Sequence, residues 1–366
     1  MALRCMTPEL GRITAFPVKE LSPDQWRDGL LIRSPNWLGD AAMTLPALRV
    51  LRLLVPEPCG IFVVCPKGIA PLFEMLPAQV SKVIALEDPH AFPDKKEFRQ
   101  IRSLQAGAAI LFNNSFRDAL SLKWAGIPLL FGTGARFRSL LMERTFAFPP
   151  RKDRTLNTPH QAAKYLSMAL ALGAPAWDEV MPEFQIPYEP ETVCEEVKKA
   201  LQCPRLLALA PGAAYGAAKR WDTESFNAVA QWWVRERSGS VALLCSGKEA
   251  EEARKTLIGV PEANVLDLAG KTTIETLSLV LRKASCCVAN DSGIMHLAAV
   301  LGTPGVAPFG STDPAATSPL SGSWRLLFDQ QDCAPCFKRV CPYGTRACMK
   351  AISPEDVVRV LSTLAR

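Results

Sequence analysis

The chain has 366 residues and no uninterrupted stretch of about 18 apolar residues, so its sequence predicts no transmembrane helix. Residues 1–20 contain no apolar core and carry Glu9 and Glu20, which argues against a secretory signal. We therefore expect a cytoplasmic protein. In that reducing compartment its 12 cysteines are not expected to form a disulfide framework.

Three common signatures of phosphate and nucleotide binding are missing from the sequence. It has no GxGxxG fingerprint, no GxxxxGK[ST] loop and no DxD pair. Without a DxD pair, a transferase would stabilise its departing diphosphate with lysine and helix-terminal amides instead of a divalent cation. No cofactor is therefore expected to be required for catalysis.

The positive charge is concentrated in one stretch, residues 113–154, whose net charge of +5 nearly equals the +6 of the whole chain. Its basic residues are Arg117, Lys123, Arg136, Arg138, Arg144, Arg151, Lys152 and Arg154. Such a field favours an anionic partner, such as phosphorylated lipid, nucleic acid or an acidic membrane face. A solvated face without a partner is the alternative. Because the stretch lacks the interleaved aromatic residues that single strands favour, no nucleic-acid partner is expected.

Short β-like runs alternate with helical patterns in both halves of the chain. They predict strands near residues 30–33, 61–65, 82–86, 108–112 and 128–131, and near 206–210, 241–245, 265–268, 286–289 and 305–308. Alternating strands and helices indicate parallel sheets covered on both faces. Two such series predict an α/β protein with two Rossmann-like domains, whose ligands bind at the carboxyl ends of the strands, in the cleft between domains.

The proline-rich stretch 175–190 is the best place for a domain boundary. We predict an N-terminal extension at 1–28, Rossmann-like domains at 29–185 and 186–350, and a final helical segment at 351–366. The Pro- and Arg-rich segment 148–159 is predicted to be a loop on the cleft.

The most informative stretch is Asn290–His296, which follows an apolar run and leads into a helical pattern. A strand, a tight turn and a helix N-terminus present unpaired backbone N–H groups to an anion. Gly293 allows a close approach of the backbone, Asp291 or Ser292 can cap the helix, and His296 lies about one turn inside it. The pattern is typical of a diphosphate site, with an ordinary helix cap and a structural histidine as the alternative.

Two further loops of the second half follow predicted strands. The loop Pro211–Trp221 contains two glycines and the basic pair Lys219 and Arg220, which suits phosphate binding; a surface turn with a solvated lysine is the alternative. In the segment Ser246–Glu249, Glu249 occupies a position where an acid often holds a ribose. It can equally be a first-turn acid that the helix dipole favours.

In the first half, the segment Ser34–Asp40 connects the first strand to the first long helix. Asp40 there is either a helix cap or a base that takes a proton from an acceptor hydroxyl. The segment Asn113–Arg117 also follows a strand and, with Arg136 and Arg138, supplies groups suited to acceptor phosphates or carboxylates.

Four cysteines, Cys333, Cys336, Cys341 and Cys348, lie within 16 residues of the sequence. In a cytoplasmic chain this spacing suggests a tetrathiolate site, for which structural zinc is the most plausible metal. Free thiols and disulfides are the alternatives. A catalytic role is not expected, because four protein ligands leave no open coordination position.

Together these motifs resemble the ADP-heptose:lipopolysaccharide heptosyltransferases of glycosyltransferase family 9, and most closely the members that add the second heptose. The matching stretches, in order from about residue 29 to the C-terminus, are Asn36–Asp40, Asn113–Arg117, Pro211–Ala213, Ala218–Trp221, Asn290–His296, Gly310–Pro314 and the segment from Cys333 to Arg339.

The resemblance implies a GT-B fold, in which two Rossmann-like domains face each other and the last helix packs back on the N-terminal one. It implies inverting transfer of L-glycero-D-manno-heptose from ADP-heptose to the heptosyl-Kdo-lipid A inner core of lipopolysaccharide. The protein would then work at the cytoplasmic face of the inner membrane, in peripheral contact with it. Residues 1–28 precede the first strand as an addition to which the resemblance gives no role. The cysteine cluster occurs in only part of the family, so the resemblance does not imply its role either.

The resemblance also implies roles for single residues. Asp40 would be the general base, and Lys219 would neutralise the departing diphosphate. The other implied donor-binding residues are Glu249, Asp291, Ser292, Gly293 and His296, and the implied acceptor-binding residues are Asn113, Arg117, Arg136 and Arg138. Three alternatives remain: heptosyltransferase I, a GT-B transferase for another nucleotide sugar, and a non-catalytic binder of sugar nucleotides or nucleic acid.

Overall fold

The computed structural model describes residues 3–148 and 159–364. The chain divides into two compact units, which we call the N-terminal unit (described residues 11–148 and 161–185) and the C-terminal unit (186–364 with 3–10 and 159–160). Most of the predicted loop 148–159 lies outside the described residues, as do Arg151, Lys152 and Arg154.

The strands of the described residues form one sheet in each unit. They are β1 (Arg4–Met6), β2 (Gly29–Arg33), β3 (Gly60–Pro66), β4 (Lys82–Leu86), β5 (Ala108–Leu111), β6 (Leu129–Thr133), β7 (Arg144–Phe146), β8 (Leu206–Ala210), β9 (Ser240–Leu243), β10 (Val265–Asp267), β11 (Cys286–Ala289), β12 (Gly305–Phe309) and β13 (Trp324–Phe328).

The two sheets have doubly wound topologies. The N-terminal unit has the strand order β4-β3-β2-β5-β6-β7, and the C-terminal unit has the order β1-β13-β12-β11-β8-β9-β10. The paired strands run parallel, except that β1 pairs antiparallel with β13 at the sheet edge. Central strands such as β8 and β11 are buried along their whole length, which is why they consist of unbroken apolar runs instead of alternating residues.

Helices connect the strands and cover the sheets. In the N-terminal unit they are α1 (Pro23–Trp26), α2 (Leu38–Ala42), α3 (Leu45–Leu54), α4 (Ala70–Glu74), α5 (Lys95–Ser103), α6 (Phe116–Trp124) and α7 (Gln161–Leu170). In the C-terminal unit they are α8 (Glu195–Gln202), α9 (Thr223–Arg237), α10 (Ala250–Arg254), α11 (Ile274–Lys283), α12 (Gly293–Val300), α13 (Pro314–Thr317), α14 (Ala347–Lys350) and α15 (Pro354–Leu364).

The ten predicted strands are all present, with ends shifted by at most two residues. The sequence pattern missed the short edge strands β1 and β7 and also β13. The helix expected from residue 41 to 54 is interrupted, because Pro46 has no N–H to donate to the carbonyl of Ala42. Thr44 occupies the break and donates its hydroxyl to the carbonyl of Ala41, 2.6 Å away.

The last helix, α15, contributes to the core of the C-terminal unit, and its expected packing on the N-terminal domain stays a prediction. Its Val357 and Leu361 are buried in the core of the C-terminal unit, which also includes Phe226 and Trp233 of α9. Ile352, which precedes the helix, belongs to the same core, and its carbonyl accepts a hydrogen bond from the Trp221 indole at 2.8 Å. Ile352 thus anchors the start of α15 to the C-terminal unit.

Within the part of the chain that the structure describes, no helix is long and apolar enough to cross a membrane.

Candidate active site

Three loops of the C-terminal unit converge on the carboxylate of Asp291, which follows β11 and is only 5% exposed. Lys219, from the loop after β8, forms an ion pair with its Oδ2 at 2.6 Å. Thr312, from the loop after β12, donates its hydroxyl to the same oxygen at 2.6 Å. Because β8, β11 and β12 are neighbours in a parallel sheet, their carboxyl ends bring these residues to one edge.

The N-terminus of α12 has no side-chain cap. Ser292 stands at the N-cap position, yet its hydroxyl makes no capping hydrogen bond, and Asp291 pairs with Lys219 and Thr312 instead. The expectation that Asp291 or Ser292 caps this helix is therefore wrong. The buried Ser292 Oγ has no hydrogen-bond partner among the described residues. The first amides of α12, which begins at Gly293, thus remain available to an anion.

His296 lies one turn inside α12 and is buried. Burial lowers the pKa of this imidazole from 6.5 to about 4, although the charge of Asp291 opposes the shift. The imidazole is therefore neutral at physiological pH. Its Nε2 lies 3.8 Å from Asp291 Oδ1, and its Nδ1 has no partner among the described residues. A neutral ring with an unused nitrogen can donate or accept a hydrogen bond from a polar ligand.

Glu249 braces the loop that carries Lys219. Its Oε1 accepts from the backbone N–H of Ala213 at 2.8 Å and pairs with Arg220 at 3.2 Å, while its Oε2 accepts from the Ser246 hydroxyl at 2.7 Å. A Cβ atom on Gly212 would lie 2.8 Å from Glu249 Oε2, so a larger residue there would displace the Glu249 carboxylate. The predicted contact between Glu249 and a ribose stays a prediction.

Asn290, which begins the heptapeptide, is completely buried and ties two loops together. Its amide nitrogen donates to the carbonyl of Pro211 at 2.6 Å, and its Oδ1 accepts from the N–H of Trp221 at 2.9 Å. Sequence reasoning assigned no role to this side chain. A buried asparagine at the end of an apolar strand was the available signal, because such an amide must find partners.

A polar cavity of about 450 Å³ opens beside this loop, within the C-terminal unit. Its wall includes Gly212 and Glu249 and, from elements that sequence reasoning did not connect, Asp222, Glu252 and Arg346. The guanidinium of Arg346 donates to Asp222 and to the carbonyl of Arg220. A cavity of this size with a few convergent polar groups is typical of a small-molecule site.

In the N-terminal unit, Asp40 lies in the first turn of α2, immediately after the loop that follows β2. Together with burial, the negative charge of Asp40 raises the pKa of Tyr165, a buried residue of α7. This places the Asp40 carboxylate within electrostatic reach of the Tyr165 ring. The geometry fits a carboxylate presented at the carboxyl edge of the sheet, and its role as a base stays a prediction.

The loop before Asp40 is held by Arg33, a residue that is only 1% exposed and ends β2. Its guanidinium donates to the carbonyl of Ser34 at 2.6 Å and to Asn36 Oδ1 at 2.9 Å. Arg33 Nε also lies 2.8 Å from Asp118 Oδ2 as a buried ion pair. Burial lowers the pKa of Arg33, and Asp118 opposes that shift. Sequence reasoning missed Arg33, although a charge directly after Leu30–Ile32 signals a buried pair.

The predicted acceptor residues Asn113 and Arg117 both contribute to this interior network. Asn113 donates its amide to Asp118 Oδ2, and Arg117 donates to the carbonyls of His90 and Pro89. They therefore order the sheet edge, and their contact with an acceptor stays a prediction.

Arg136 and Arg138 follow β6 and differ in exposure. Arg136 is exposed, whereas Arg138 is completely buried and donates from Nε to the carbonyl of Thr133 at 2.6 Å. Burial lowers the pKa of Arg138 to about 10, with Asp118 opposing. Arg138 thus fixes the turn after β6, while Arg136 has the exposure that an acceptor contact requires.

The four clustered cysteines line one small cavity of about 20 Å³ in the C-terminal unit. The backbone N–H groups of Tyr343 to Arg346 donate towards Cys341 and lower the pKa of its thiol. Burial, together with the neighbouring charges of Cys333, Cys336 and Cys341, raises the pKa of Cys348 to about 11. These sulfurs thus lie close enough to influence one another.

The donor set suits zinc chemically, but the sulfurs are not arranged as a metal polyhedron. Among residues 3–148 and 159–364, no group of three or more His, Cys, Asp or Glu side chains has a metal-binding geometry. The structure pairs none of the twelve cysteines in a disulfide bond.

Comparison with known proteins identifies the family. The model of glycosyltransferase family 9, the heptosyltransferase family, matches residues 95–346. The lipooligosaccharide heptosyltransferase 2 of Haemophilus influenzae is 31% identical over 313 residues, covering 81% of this chain and 88% of that protein. The enzyme of the same name from Campylobacter jejuni is 28% identical over 354 residues, covering 92% and 99%. The chain belongs to glycosyltransferase family 9.

The solved structure of Escherichia coli ADP-heptose lipopolysaccharide heptosyltransferase II shares this fold. It superposes with a TM-score of 0.74 at 24% sequence identity, covering 92% of this chain and 98% of that one. The likeness extends over both units and confirms the predicted α/β fold of GT-B type.

The buried, neutral state of His296 predicts a pH dependence of stability. An imidazole whose pKa is about 4 when folded and near 6.5 when unfolded binds protons preferentially in the unfolded chain. The stability that it contributes is complete above pH ~6.5 and is lost as pH falls towards 4, by roughly 3 kcal/mol. His296→Asn should therefore flatten the free energy of unfolding between pH 7 and pH 4, measured by urea denaturation.

The matched control is His90→Asn, which changes an exposed histidine of the other unit and should leave the pH profile as in the parent. Equal slopes for the His296 variant and the parent would show that His296 does not titrate in this range.

Proposed function

We propose that the protein is an inverting heptosyltransferase. It transfers L-glycero-D-manno-heptose from ADP-heptose to the first heptose of the Kdo-lipid A inner core of lipopolysaccharide. The observation that carries this proposal is the edge of the C-terminal sheet, where Lys219, Thr312 and His296 surround Asp291 beside the uncapped helix α12. Family membership and the ADP-heptose enzyme of similar fold support it.

The C-terminal unit has the groups that a nucleoside diphosphate sugar needs. The amides at the start of α12 offer hydrogen bonds and the positive end of a helix dipole to the diphosphate. Lys219 adds a positive charge that Asp291 holds in place, and the unpartnered Ser292 hydroxyl is a further donor. As the bond from the anomeric carbon to ADP breaks, negative charge grows on the departing phosphate, and these groups stabilise it.

Asp40 acts as the base in the proposed reaction. The acceptor hydroxyl attacks the anomeric carbon from the face opposite ADP, which inverts that centre, and its proton passes to the Asp40 carboxylate. The buried pair of Arg33 and Asp118 keeps the loop before Asp40 ordered, because Arg33 also donates to the carbonyl of Ser34 and to Asn36. No divalent cation is needed, because the leaving diphosphate is neutralised by Lys219 and backbone amides.

The N-terminal unit binds the acidic acceptor. Arg136 is the exposed cation among the predicted acceptor residues, whereas Arg117 and Arg138 shape the surface through bonds to backbone carbonyls. Kdo carboxylates and inner-core phosphates are suited to a guanidinium, which can bind them with two parallel hydrogen bonds.

Membrane contact is proposed for the turn after β6, where Phe137 is 86% exposed and Leu140 is 89% exposed. Arg138 is buried between them, and Leu141 packs on the core of the N-terminal unit, so the turn has a fixed shape that displays two apolar side chains. Arg136 lies next to them, in the stretch of net charge +5. Apolar side chains beside a positive charge suit the surface of an anionic bilayer, in which the lipid-linked acceptor resides.

Structural zinc is the occupant proposed for the four-cysteine cavity. Its support is the spacing Cys333, Cys336, Cys341 and Cys348, the shared cavity, and the backbone N–H groups that point at Cys341 and would stabilise a thiolate. Binding would require the four sulfurs to draw together around the ion.

The donor and acceptor panel tests the function directly. Incubation with ADP-heptose and heptosyl-Kdo-lipid A should release ADP, whereas UDP-sugars should not react. Asp40→Asn should still bind ADP-heptose but lose at least about a hundredfold in turnover, since general-base removal commonly costs that much.

Other outcomes of the panel favour the alternatives. Release of ADP only with heptose-free Kdo-lipid A would indicate a heptosyltransferase I, and turnover of UDP-sugars would indicate a different donor. Full activity of Asp40→Asn would remove Asp40 as the base.

The double variant Phe137→Ser/Leu140→Ser should weaken binding to phosphatidylglycerol-containing vesicles by about tenfold, because two apolar side chains no longer leave water. Vesicle cosedimentation measures this. The matched control is Leu53→Ser, which removes an exposed leucine elsewhere in the same unit. Equal binding of the double variant and the parent would exclude this turn as the contact.

Elemental analysis of the protein purified without added metal should find about one zinc per chain, and replacement of Cys341 by serine should lower that content. If the purified protein contains no metal and all four thiols react with a thiol reagent, the cysteines are free and the zinc proposal is wrong.

A further inference from the structure

The segment 333–348 that carries the four cysteines touches the loop that carries Lys219, a contact that the chemistry above does not use. The backbone N–H of Ala218 donates to the carbonyl of Arg339 at 3.0 Å. The hydroxyl of Tyr215 donates to the carbonyl of Phe337 at 3.2 Å. Two bonds to backbone carbonyls on alternate residues fix the loop 215–219 against the segment.

The loop and the segment are also in close steric contact at Gly216. A Cβ atom on Gly216 would lie 2.3 Å from the carbonyl oxygen of Arg339, closer than any real contact, and that oxygen belongs to backbone. The backbone of Gly216 is extended there, so glycine is required by proximity and not by its torsion angles. The loop 215–219 and the four-cysteine segment therefore pack against each other with no space for even a methyl group.

The aromatic ring of Tyr215 joins the two sides electrostatically. The Lys219 ammonium lies 4.9 Å from the ring centroid, and the Arg339 guanidinium lies 5.1 Å from it. Each distance is within the range of a cation–π interaction. Tyr215 thus contacts the segment through its hydroxyl and the site lysine through its ring.

The segment also reaches the third loop of the site. The N–H of Phe337 donates to the carbonyl of Ser311 at 2.7 Å, next to Thr312, which binds Asp291. Ala218 and Ser311 both line the small cavity of the four cysteines. The thiol cavity and the two ligand loops therefore share a wall.

We propose that the four-cysteine segment positions Lys219 for the donor diphosphate, with Tyr215 and the backbone of Arg339 as the connecting groups. This inference rests on the proposed function and adds to it a dependence of diphosphate affinity on a part of the chain that touches no substrate. Tyr215 is a positioning residue, because it acts through Lys219. Any change at the four sulfurs, including gain or loss of a metal, would reach the site by this route.

Gly216→Ala tests the inference, because its methyl group must displace Arg339 from the loop. We expect ADP affinity to fall by about tenfold, as for a misplaced charge-assisted phosphate contact, and AMP affinity to fall much less. Isothermal titration calorimetry measures both nucleotides. Gly322→Ala is the matched control, since a Cβ atom at Gly322 meets nothing within 4 Å in the same unit.

Tyr215→Phe is the gentler second variant, which keeps the ring and removes only the hydroxyl bond to Phe337. It should weaken ADP binding by about threefold. Unchanged ADP affinity in the Gly216 variant, or equal losses for ADP and AMP in both variants, would overturn the inference, because a lysine contact distinguishes the two nucleotides.

Hydrogen exchange gives a readout that needs no nucleotide. The amides of residues 213–221 should exchange faster in Gly216→Ala than in the parent and in Gly322→Ala, since the Ala218 N–H loses its acceptor. Unchanged exchange would overturn the inference. Failure of the parent to bind ADP would overturn the proposed function instead, and hydrogen exchange would still decide whether the segment holds the loop.

Discussion

The ion pair between Lys219 and Asp291 is the interaction on which the rest of the C-terminal unit's site depends. An ionised carboxylate buried at this depth is costly unless it is paired and hydrogen-bonded, and Lys219 and Thr312 supply both. Because the three residues come from loops after three neighbouring strands, satisfying one carboxylate fixes three loops at once. The helix that follows Asp291 then keeps its first amides free of a side-chain cap.

The N-terminal unit solves a similar problem with Arg33 and Asp118. A buried guanidinium at the end of β2 pairs with a carboxylate that follows β5, and its other nitrogens hold the loop before Asp40. Removing one partner of such a pair would leave an uncompensated buried charge, which commonly costs about 3–5 kcal/mol. In both units, therefore, buried ion pairs order the loops at the carboxyl edge of the sheet.

Apolar runs and their spacing were sufficient to predict most of the fold. Eight of the ten predicted strands lie inside their sheets and are largely buried, so they leave short apolar runs in the sequence. The other two, β4 and β10, are edge strands that the alternation with helices still marked. The edge strands β1 and β7 are three residues long and leave no such signal, since only the sheet edge beside them makes them extended. The amphipathic pattern of α15 shows that the helix buries one face, but not that Val357 and Leu361 join the core of the C-terminal unit.

Motif order likewise predicted which residues gather at the sheet edges, but not what each one contacts. The positions of Lys219, Asp291 and His296 after predicted strands were sufficient, because carboxyl ends of parallel strands share an edge. Arg136 is exposed and Arg138 is buried, although they are only two residues apart. The difference depends on how the turn packs around each side chain, which the sequence pattern does not show. The sequence by itself thus determined the elements, their order and the chemical groups at the sheet edges, since these follow from local pattern. Only the tertiary structure decided the partners, the neutral state of His296 and the contact of the four-cysteine segment with the Lys219 loop, because burial and pairing arise from residues distant in the chain.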